Sequence, residues 1–213
     1  MIQVFLNWTG NNADLLIEFF GFLTALVYLF FSIKQKIWLW PFGILTSSLY
    51  IYIFYFSSLY ADMGLQIYYV LISFYGWYHW VHGASHNKDS ILSISTLSGS
   101  LALKLLAILF VIYWIIVFFL LKGPAYLGMP PSDLPYWDAF TTSASIIATW
   151  MLARKIIEHW IVWIIVDSVS FGLYIYKELY ITVVLFLIYT ILAFVGFYEW
   201  KKDLIITSQS TER

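Results

Sequence analysis

Cysteine is absent from this 213-residue chain, and charged residues are few. Without cysteine there are no disulfide bonds, no thiolate metal ligands and no cysteine nucleophile. Charged residues make up 11% of the sequence, against roughly 25% in an ordinary soluble domain. The net charge of −1 gives no electrostatic basis for binding nucleic acid or a polybasic membrane-surface patch. Phosphate-binding loops, nucleophile elbows and zinc-protease helices are also missing, so we expect neither an enzyme nor a cofactor.

Long apolar runs fill most of the sequence instead, and 62% of the residues are apolar. A bilayer core about 30 Å thick requires roughly 20 apolar helical residues per crossing. Only helices or closed barrels satisfy their backbone polar groups in lipid, and continuous rather than alternating runs favour helices. We therefore predict an all-α integral membrane protein. Its seven transmembrane helices are predicted at residues 14–33, 38–56, 63–81, 99–121, 138–153, 160–176 and 180–200.

The flanks of these spans predict the orientation of the chain. Residues 1–13 carry no lysine or arginine, so the first apolar run is expected to be a retained helix rather than a signal peptide. With the N-terminus outside, nine of the eleven basic residues lie on the cytoplasmic side, which predicts an N-out, C-in orientation. The proline- and glycine-rich segment 122–135 is predicted not to continue the fourth helix.

The chain also repeats itself at a shift of 120 residues. Gly-Trp-Tyr-His-Trp at 76–80 recurs as Gly-Phe-Tyr-Glu-Trp at 196–200, and Glu18 has Asp138 as its counterpart. Helices one to three therefore mirror helices five to seven, which predicts 3+1+3 parallel repeats with a substrate site between the halves. The predicted parts are an outer segment (1–13), a first repeat (14–81), a loop, linker helix and outer loop (82–135), a second repeat (136–202) and a cytoplasmic tail (203–213).

Trp160, Trp163 and Asp167 are spaced i, i+3 and i+7, so they share one face of the sixth helix. Two indoles and a carboxylate suit a flat heteroaromatic ligand that is cationic or carries an NH donor, through stacking and cation–π attraction. An ionisable residue inside a span is itself a functional-site hypothesis. The alternative for the tryptophans, Trp160 above all, is the aromatic belt expected at a membrane interface.

Other polar residues are weaker candidates. Asp62 and Gln66 form a short stripe on the third helix, which fits amide or ribose recognition, an interhelical hydrogen bond, or a helix cap by Asp62. Glu18 and Asp138 could line an outer vestibule or simply stay solvated. The histidines at 79, 82 and 86 approximate metal spacing only weakly, and we predict no metal site.

Four motifs together resemble the PnuC family of vitamin transporters, over residues 14–202. They are the sequence at 76–80, Tyr-Trp-Asp at 136–138, Arg-Lys at 154–155 and Trp-x-x-Trp-x-x-x-Asp at 160–167. The resemblance implies a SWEET-like 3+1+3 helix arrangement and assembly as a homotrimer. It also implies facilitated diffusion without a coupling ion, made one-way when a cytoplasmic kinase phosphorylates the vitamin.

The family motif carries over to Trp160, Trp163 and Asp167 as substrate contacts, with Gln66 opposite them. Asp62 and Tyr174 complete the predicted site. Some family members have asparagine at the position of Asp167, and a carboxylate there favours a cation. The resemblance thus implies uptake of nicotinamide riboside for NAD biosynthesis, with thiamine as the alternative cation and riboflavin as a third family substrate. A membrane accessory protein without a substrate is the alternative from another functional class.

Overall fold

The computed structural model describes residues 13–56, 60–83, 92–127, 132–178 and 180–211. These residues form seven α-helices, one at each predicted span, which confirms the all-helical prediction. They are α1 Ala13–Ile33, α2 Leu39–Phe56, α3 Tyr60–His82, α4 Gly99–Leu127, α5 Pro135–Ala153, α6 His159–Tyr176 and α7 Tyr180–Thr211. Four contain stretches long and apolar enough to cross a bilayer: Leu39–Phe56, Gly99–Tyr126, His159–Tyr176 and Thr182–Ile206.

Two helices run further than the sequence predicted. The predicted end of the fourth span at residue 121 was wrong, because α4 continues through Pro124 to Leu127. One proline removes only one backbone N–H donor, and membrane helices tolerate that loss. The seventh helix likewise continues beyond the predicted apolar span, through the polar residues after Trp200, to Thr211.

The chain divides into two compact units, residues 1–88 and 89–213. In the first unit, α2 lies against both α1 and α3. In the second unit, each helix from α4 to α7 packs against the next one along the chain. A buried cluster of Leu105, Ile147, Met151 and Ile156 joins α4 to α5 and to the loop that follows it. The predicted linker helix therefore belongs to the second unit.

The α1–α2 and α5–α6 connections share one backbone motif, again 120 residues apart. Gln35 and Lys155 have positive φ angles of 51° and 52°, a left-handed conformation that is uncommon for residues other than glycine. The residue after each donates its N–H five positions back, as in a Schellman helix end. These bonds are Lys36 N to Phe31 O and Ile156 N to Met151 O, both 2.9 Å.

Each unit also contains a tryptophan–glycine crossing, in which an indole from the middle helix lies against a glycine of the last helix. In the first unit, Trp40 is fully buried against Gly76, and its ring centroid lies 5.4 Å from that of Trp80, with the rings nearly perpendicular. In the second unit Trp160, Gly196 and Trp200 repeat this arrangement, with centroids 6.0 Å apart. The sequence repeat is thus a repeated packing motif.

Candidate functional site

The candidate site lies on α6, where the predicted residues differ sharply in their surroundings. Trp163 is half-buried, whereas Asp167 lies in the middle of the helix with only 6% of its surface exposed. Among the residues that the structure describes, the Asp167 carboxylate has no hydrogen-bond or ion-pair partner. A buried unpaired carboxylate is costly, so this side chain is suited to receive a positively charged or hydrogen-donating ligand.

Trp160 is placed differently from Trp163, although both are on α6. Its indole is 2% exposed and lies in the tryptophan–glycine crossing. The centroid of the His159 ring lies 4.6 Å from that of Trp160 and 4.8 Å from that of Trp200. Trp160 therefore has a packing role between α6 and α7.

Tyr174 of α6 contacts the residue of α7 that is equivalent to Gln66 in the first unit. Tyr174 stacks on Phe186 of α7, with ring centroids 5.0 Å apart. Gln66 of α3, half-buried, is the residue 120 positions before Phe186, and Asp62 lies one turn earlier and is exposed. The structure therefore places Tyr174 in an aromatic contact and leaves Asp62 and Gln66 as a polar stripe on α3.

Comparison of α2 with α6 shows which site residues are particular to the second unit. The positions equivalent to Trp163 and Asp167 hold Gly43 and Ser47. A Cβ atom at Gly43 would lie 3.1 Å from both the Ser73 hydroxyl and the Tyr28 ring. The sequence analysis did not single out Tyr28 or Ser73. The repeat does mark them, because the residues 120 positions later, Ala148 and Ala193, are both small.

Three further candidates have local structural roles or lie outside the described residues. Asp138, near the start of α5, accepts a short hydrogen bond from the Ser132 hydroxyl, which in turn accepts the Leu134 N–H at 3.2 Å. This contact favours a helix-start role over a vestibule. The side chain of Glu18 and all of His86 are outside the described residues. No cluster of three or more histidine, aspartate or glutamate residues suited to a metal ion occurs in the part of the chain that is described.

The loop between α5 and α6 is fixed by the segment that precedes α4. Ser95 N donates to Lys155 O at 2.9 Å, and Ile157 N donates to Ser95 O at 3.0 Å. Leu97 N donates to a Glu158 carboxylate oxygen at 2.9 Å. The Lys155 side chain is 3% exposed in this loop, and burial lowers its pKa to about 8, while the nearby Asp203 opposes that shift. These hydrogen bonds fix the start of α6 against the segment that precedes α4.

Known proteins match this arrangement of helices and this sequence. A family model described as a nicotinamide mononucleotide transporter matches residues 15–202. The nicotinamide riboside transporter PnuC of Escherichia coli K12 is 28% identical over 202 residues, covering 86% of this chain and 84% of that protein. The riboflavin/roseoflavin transporter RibM of Streptomyces davaonensis is 24% identical over 203 residues, covering 92% of each.

The same relationship is visible at the level of the fold. A crystal structure of the vitamin B3 transporter PnuC superposes with a TM-score of 0.66 at 23% identity, covering 95% of this chain and 87% of that one. The helices and their matches define a multi-pass membrane transport protein rather than an enzyme. Because the family match spans residues 15–202, the chain belongs to the nicotinamide mononucleotide transporter family, and the predicted PnuC kinship is confirmed.

Proposed function

We propose that this protein carries a flat, positively charged vitamin precursor, nicotinamide riboside first, across the bacterial inner membrane. The observation that carries the proposal is the unpaired, buried Asp167 carboxylate, one helical turn from the half-buried Trp163 indole. An intramembrane carboxylate without a protein partner is costly to retain, and a bound cation offsets that cost.

The chemistry of nicotinamide riboside fits these two side chains. Its pyridinium ring is flat and cationic, so it can stack on Trp163 through cation–π attraction, worth about 0.5 to 2 kcal/mol. Asp167 supplies the counter-charge or accepts from the carboxamide NH₂. Trp160, held against Gly196 in the tryptophan–glycine crossing, is proposed to close the inner side of the site.

Thiamine is the second candidate, because its thiazolium is also a cation. Riboflavin, a substrate of the Streptomyces relative RibM, has an uncharged ring system and gains less from a carboxylate. We therefore expect the order nicotinamide riboside, thiamine, riboflavin in affinity.

Titration of the purified protein tests this order. Isothermal calorimetry with nicotinamide riboside, thiamine and riboflavin should give the tightest binding for the riboside. Tightest binding of riboflavin would contradict the role of the carboxylate. If none of the three binds and another membrane subunit copurifies, the protein is an accessory subunit, and the transport proposal is wrong.

The proposed transport cycle is facilitated diffusion by alternating access, in a 3+1+3 arrangement with the N-terminus outside. In proteoliposomes, labelled riboside should equilibrate without an ion gradient. Accumulation above equilibrium should appear only when a riboside kinase and ATP are enclosed. Accumulation driven by a sodium or proton gradient alone would contradict this mechanism.

We also propose that the protein is a homotrimer, as its resemblance to the PnuC family implies. Size-exclusion chromatography with light scattering should give a protein mass of three 24.9 kDa chains after subtraction of detergent. A monomer mass that persists in lipid nanodiscs would contradict the trimer.

A further inference from the structure

The segment that precedes α4, residues 92–98, lies along the α5–α6 turn as a short extended strap. Ser95 forms two backbone hydrogen bonds there, donating to Lys155 O and accepting from Ile157 N, which is the pattern of paired parallel strands. Leu97, two residues further on, packs against the buried cluster that joins α4 to α5. The strap is therefore anchored by backbone pairing at one residue and by an apolar side chain at another.

Glu158 adds a side-chain hydrogen bond to this strap. It is the residue immediately before α6, and its carboxylate accepts the Leu97 N–H at 2.9 Å instead of capping its own helix. A hydrogen bond to a carboxylate is roughly twice as strong as one between neutral groups. The Glu158 side chain thus ties the first turn of α6 to the strap, and through Leu97 to α4 and α5.

The equivalent turn in the first unit is more exposed, although it repeats the left-handed backbone conformation. Ile156 is 4% exposed, whereas its equivalent Lys36 is exposed. Glu158 corresponds to Trp38, an indole that is 59% exposed. The conformation of the turn is the same whether it is buried or exposed, so its burial beneath the strap meets a need of the second unit.

We propose that the strap positions α6 for substrate binding, with Glu158 as a positioning residue that does not itself contact the vitamin. This inference rests on the proposed function of Trp163 and Asp167, which lie five and nine residues further along the same helix. At a rise of 1.5 Å per residue they are about 7.5 and 13.5 Å from Glu158 along the helix. A helix transmits a shift or rotation of its first turn to later residues, and a binding site must hold its groups to within about 0.5 Å.

The buried Asp167 carboxylate explains why α6 needs such a restraint. A carboxylate without a protein partner is unfavourable, and a slide or rotation of α6 that brought it to water or to a polar group would relieve that cost. The strap opposes this displacement, because the hydrogen bonds of Ser95 and Glu158 would have to break together. It thus keeps the carboxylate preorganised for the ligand.

Calorimetric titration of nicotinamide riboside distinguishes positioning from general stability. Glu158→Ala removes the hydrogen bond from Leu97 N, and we expect the Kd to rise by about 3- to 10-fold while the number of binding sites per chain stays the same. Glu158→Gln keeps an acceptor oxygen and should restore most of the affinity. Glu178→Ala, at the exposed opposite end of α6, is the matched control and should bind like the unaltered protein.

A backbone substitution tests the strap independently of Glu158. Ser95→Pro removes the N–H that donates to Lys155 O, and we expect a similar rise in Kd. Ser93→Pro introduces proline at an exposed residue of the same segment whose N–H makes none of these hydrogen bonds, and it should leave the Kd unchanged. Amide hydrogen exchange at residues 157–161 should quicken in Ser95→Pro and in Glu158→Ala, which reports local opening.

The outcomes separate this inference from the proposed function. If the unaltered protein binds no riboside, the transport proposal fails, and hydrogen exchange still reports whether Glu158 holds the start of α6. If the riboside binds and Glu158→Ala lowers the number of sites or the unfolding temperature at unchanged Kd, Glu158 has only a stabilising role and the positioning role is wrong. Equal weakening by Glu158→Ala and Glu158→Gln, or unchanged hydrogen exchange in Glu158→Ala, would also overturn it.

Discussion

The two groups of three helices, α1–α3 and α5–α7, share their packing but differ in where their polar residues lie. The crossing of Trp40 and Gly76 recurs with Trp160 and Gly196, and the left-handed turn residue recurs at the same shift. The middle helices differ, by contrast, at one buried polar position, which holds Ser47 on α2 and Asp167 on α6. Only the middle helix of the second group carries a buried carboxylate, among the described residues.

The comparison distinguishes residues with a packing role in both groups from residues that we propose bind substrate. A position occupied by the same residue type in both groups, such as Trp40 and Trp160, meets a need that both groups have, which is packing. A position where the groups differ, such as Ser47 and Asp167, meets a need of one group only. By this criterion Trp160 has a packing role, whereas Trp163 and Asp167 are the proposed substrate contacts.

The largest expected effect is at the matched positions. Gly196→Ala would place a Cβ atom 2.5 Å from the buried Trp160 indole, and Gly76→Ala would place one 2.3 Å from Trp40. Each should destabilise the protein by about 1 to 3 kcal/mol or more, as overpacking does, and lower the thermal unfolding temperature. Gly172→Ala, where no atom lies within 4 Å of the new Cβ, is the control and should not destabilise. If Gly76→Ala and Gly196→Ala lowered the unfolding temperature by very different amounts, the two crossings would not be equivalent in packing.

Substitution of the unmatched indole should act on binding instead of stability. Trp163→Ala removes the stacking surface, and we expect riboside affinity to fall by about 30- to 100-fold, from the combined loss of ring contact and cation–π attraction. The unfolding temperature should change little. Calorimetry measures the affinity, and Trp38→Ala, at an exposed indole outside both crossings, is the control. Unchanged affinity would remove Trp163 from the site.

A phosphate group on the ligand should weaken binding if the Asp167 carboxylate lies at the binding site. Nicotinamide mononucleotide adds a dianionic phosphate, which the Asp167 carboxylate repels, so it should bind at least about tenfold more weakly than the riboside. Competition against labelled riboside measures the ratio. Equal or tighter binding of the nucleotide would mean that the carboxylate does not dominate the site.

The last prediction concerns the turn residues Gln35 and Lys155, which share a conformation but differ in charge. Burial lowers the pKa of Lys155 to about 8 from its ordinary 10.5. Between these values the unfolded chain binds a proton that the folded chain does not, so stability rises as pH increases from about 8 to 10.5. Lys155→Met should lack this rise in thermal unfolding measured across that range. Parallel curves for both proteins would show that the amine is not buried.

The sequence predicted the helices well because the apolar runs are long and continuous, and lipid leaves the backbone little alternative to a helix. It also located Asp167, since a charge inside such a run stands out by itself. It could not distinguish the roles of Trp160 and Trp163. A tryptophan near a helix end has the same spacing whether it meets ligand, lipid or a glycine of another helix.

Tyr28 shows the same limit from the other direction. The sequence of α1 does not distinguish Tyr28 from its neighbours. Its packing depends on Gly43 and Ser73, which belong to two other helices. Pro124 was misjudged because local propensity predicts a helix end, whereas the α4 backbone simply omits one hydrogen bond and continues. Tertiary neighbours decide both cases.

The central claim is that the buried charge of the second group, and not its neutral equivalent in the first, binds the vitamin. Calorimetric titration of nicotinamide riboside into Asp167→Ala and Ser47→Ala tests it most directly. We predict that Asp167→Ala weakens binding by at least about tenfold, as loss of a charge-assisted contact does, while Ser47→Ala binds like the unaltered protein. Equal losses in both variants, or a loss in Ser47→Ala alone, would contradict the account.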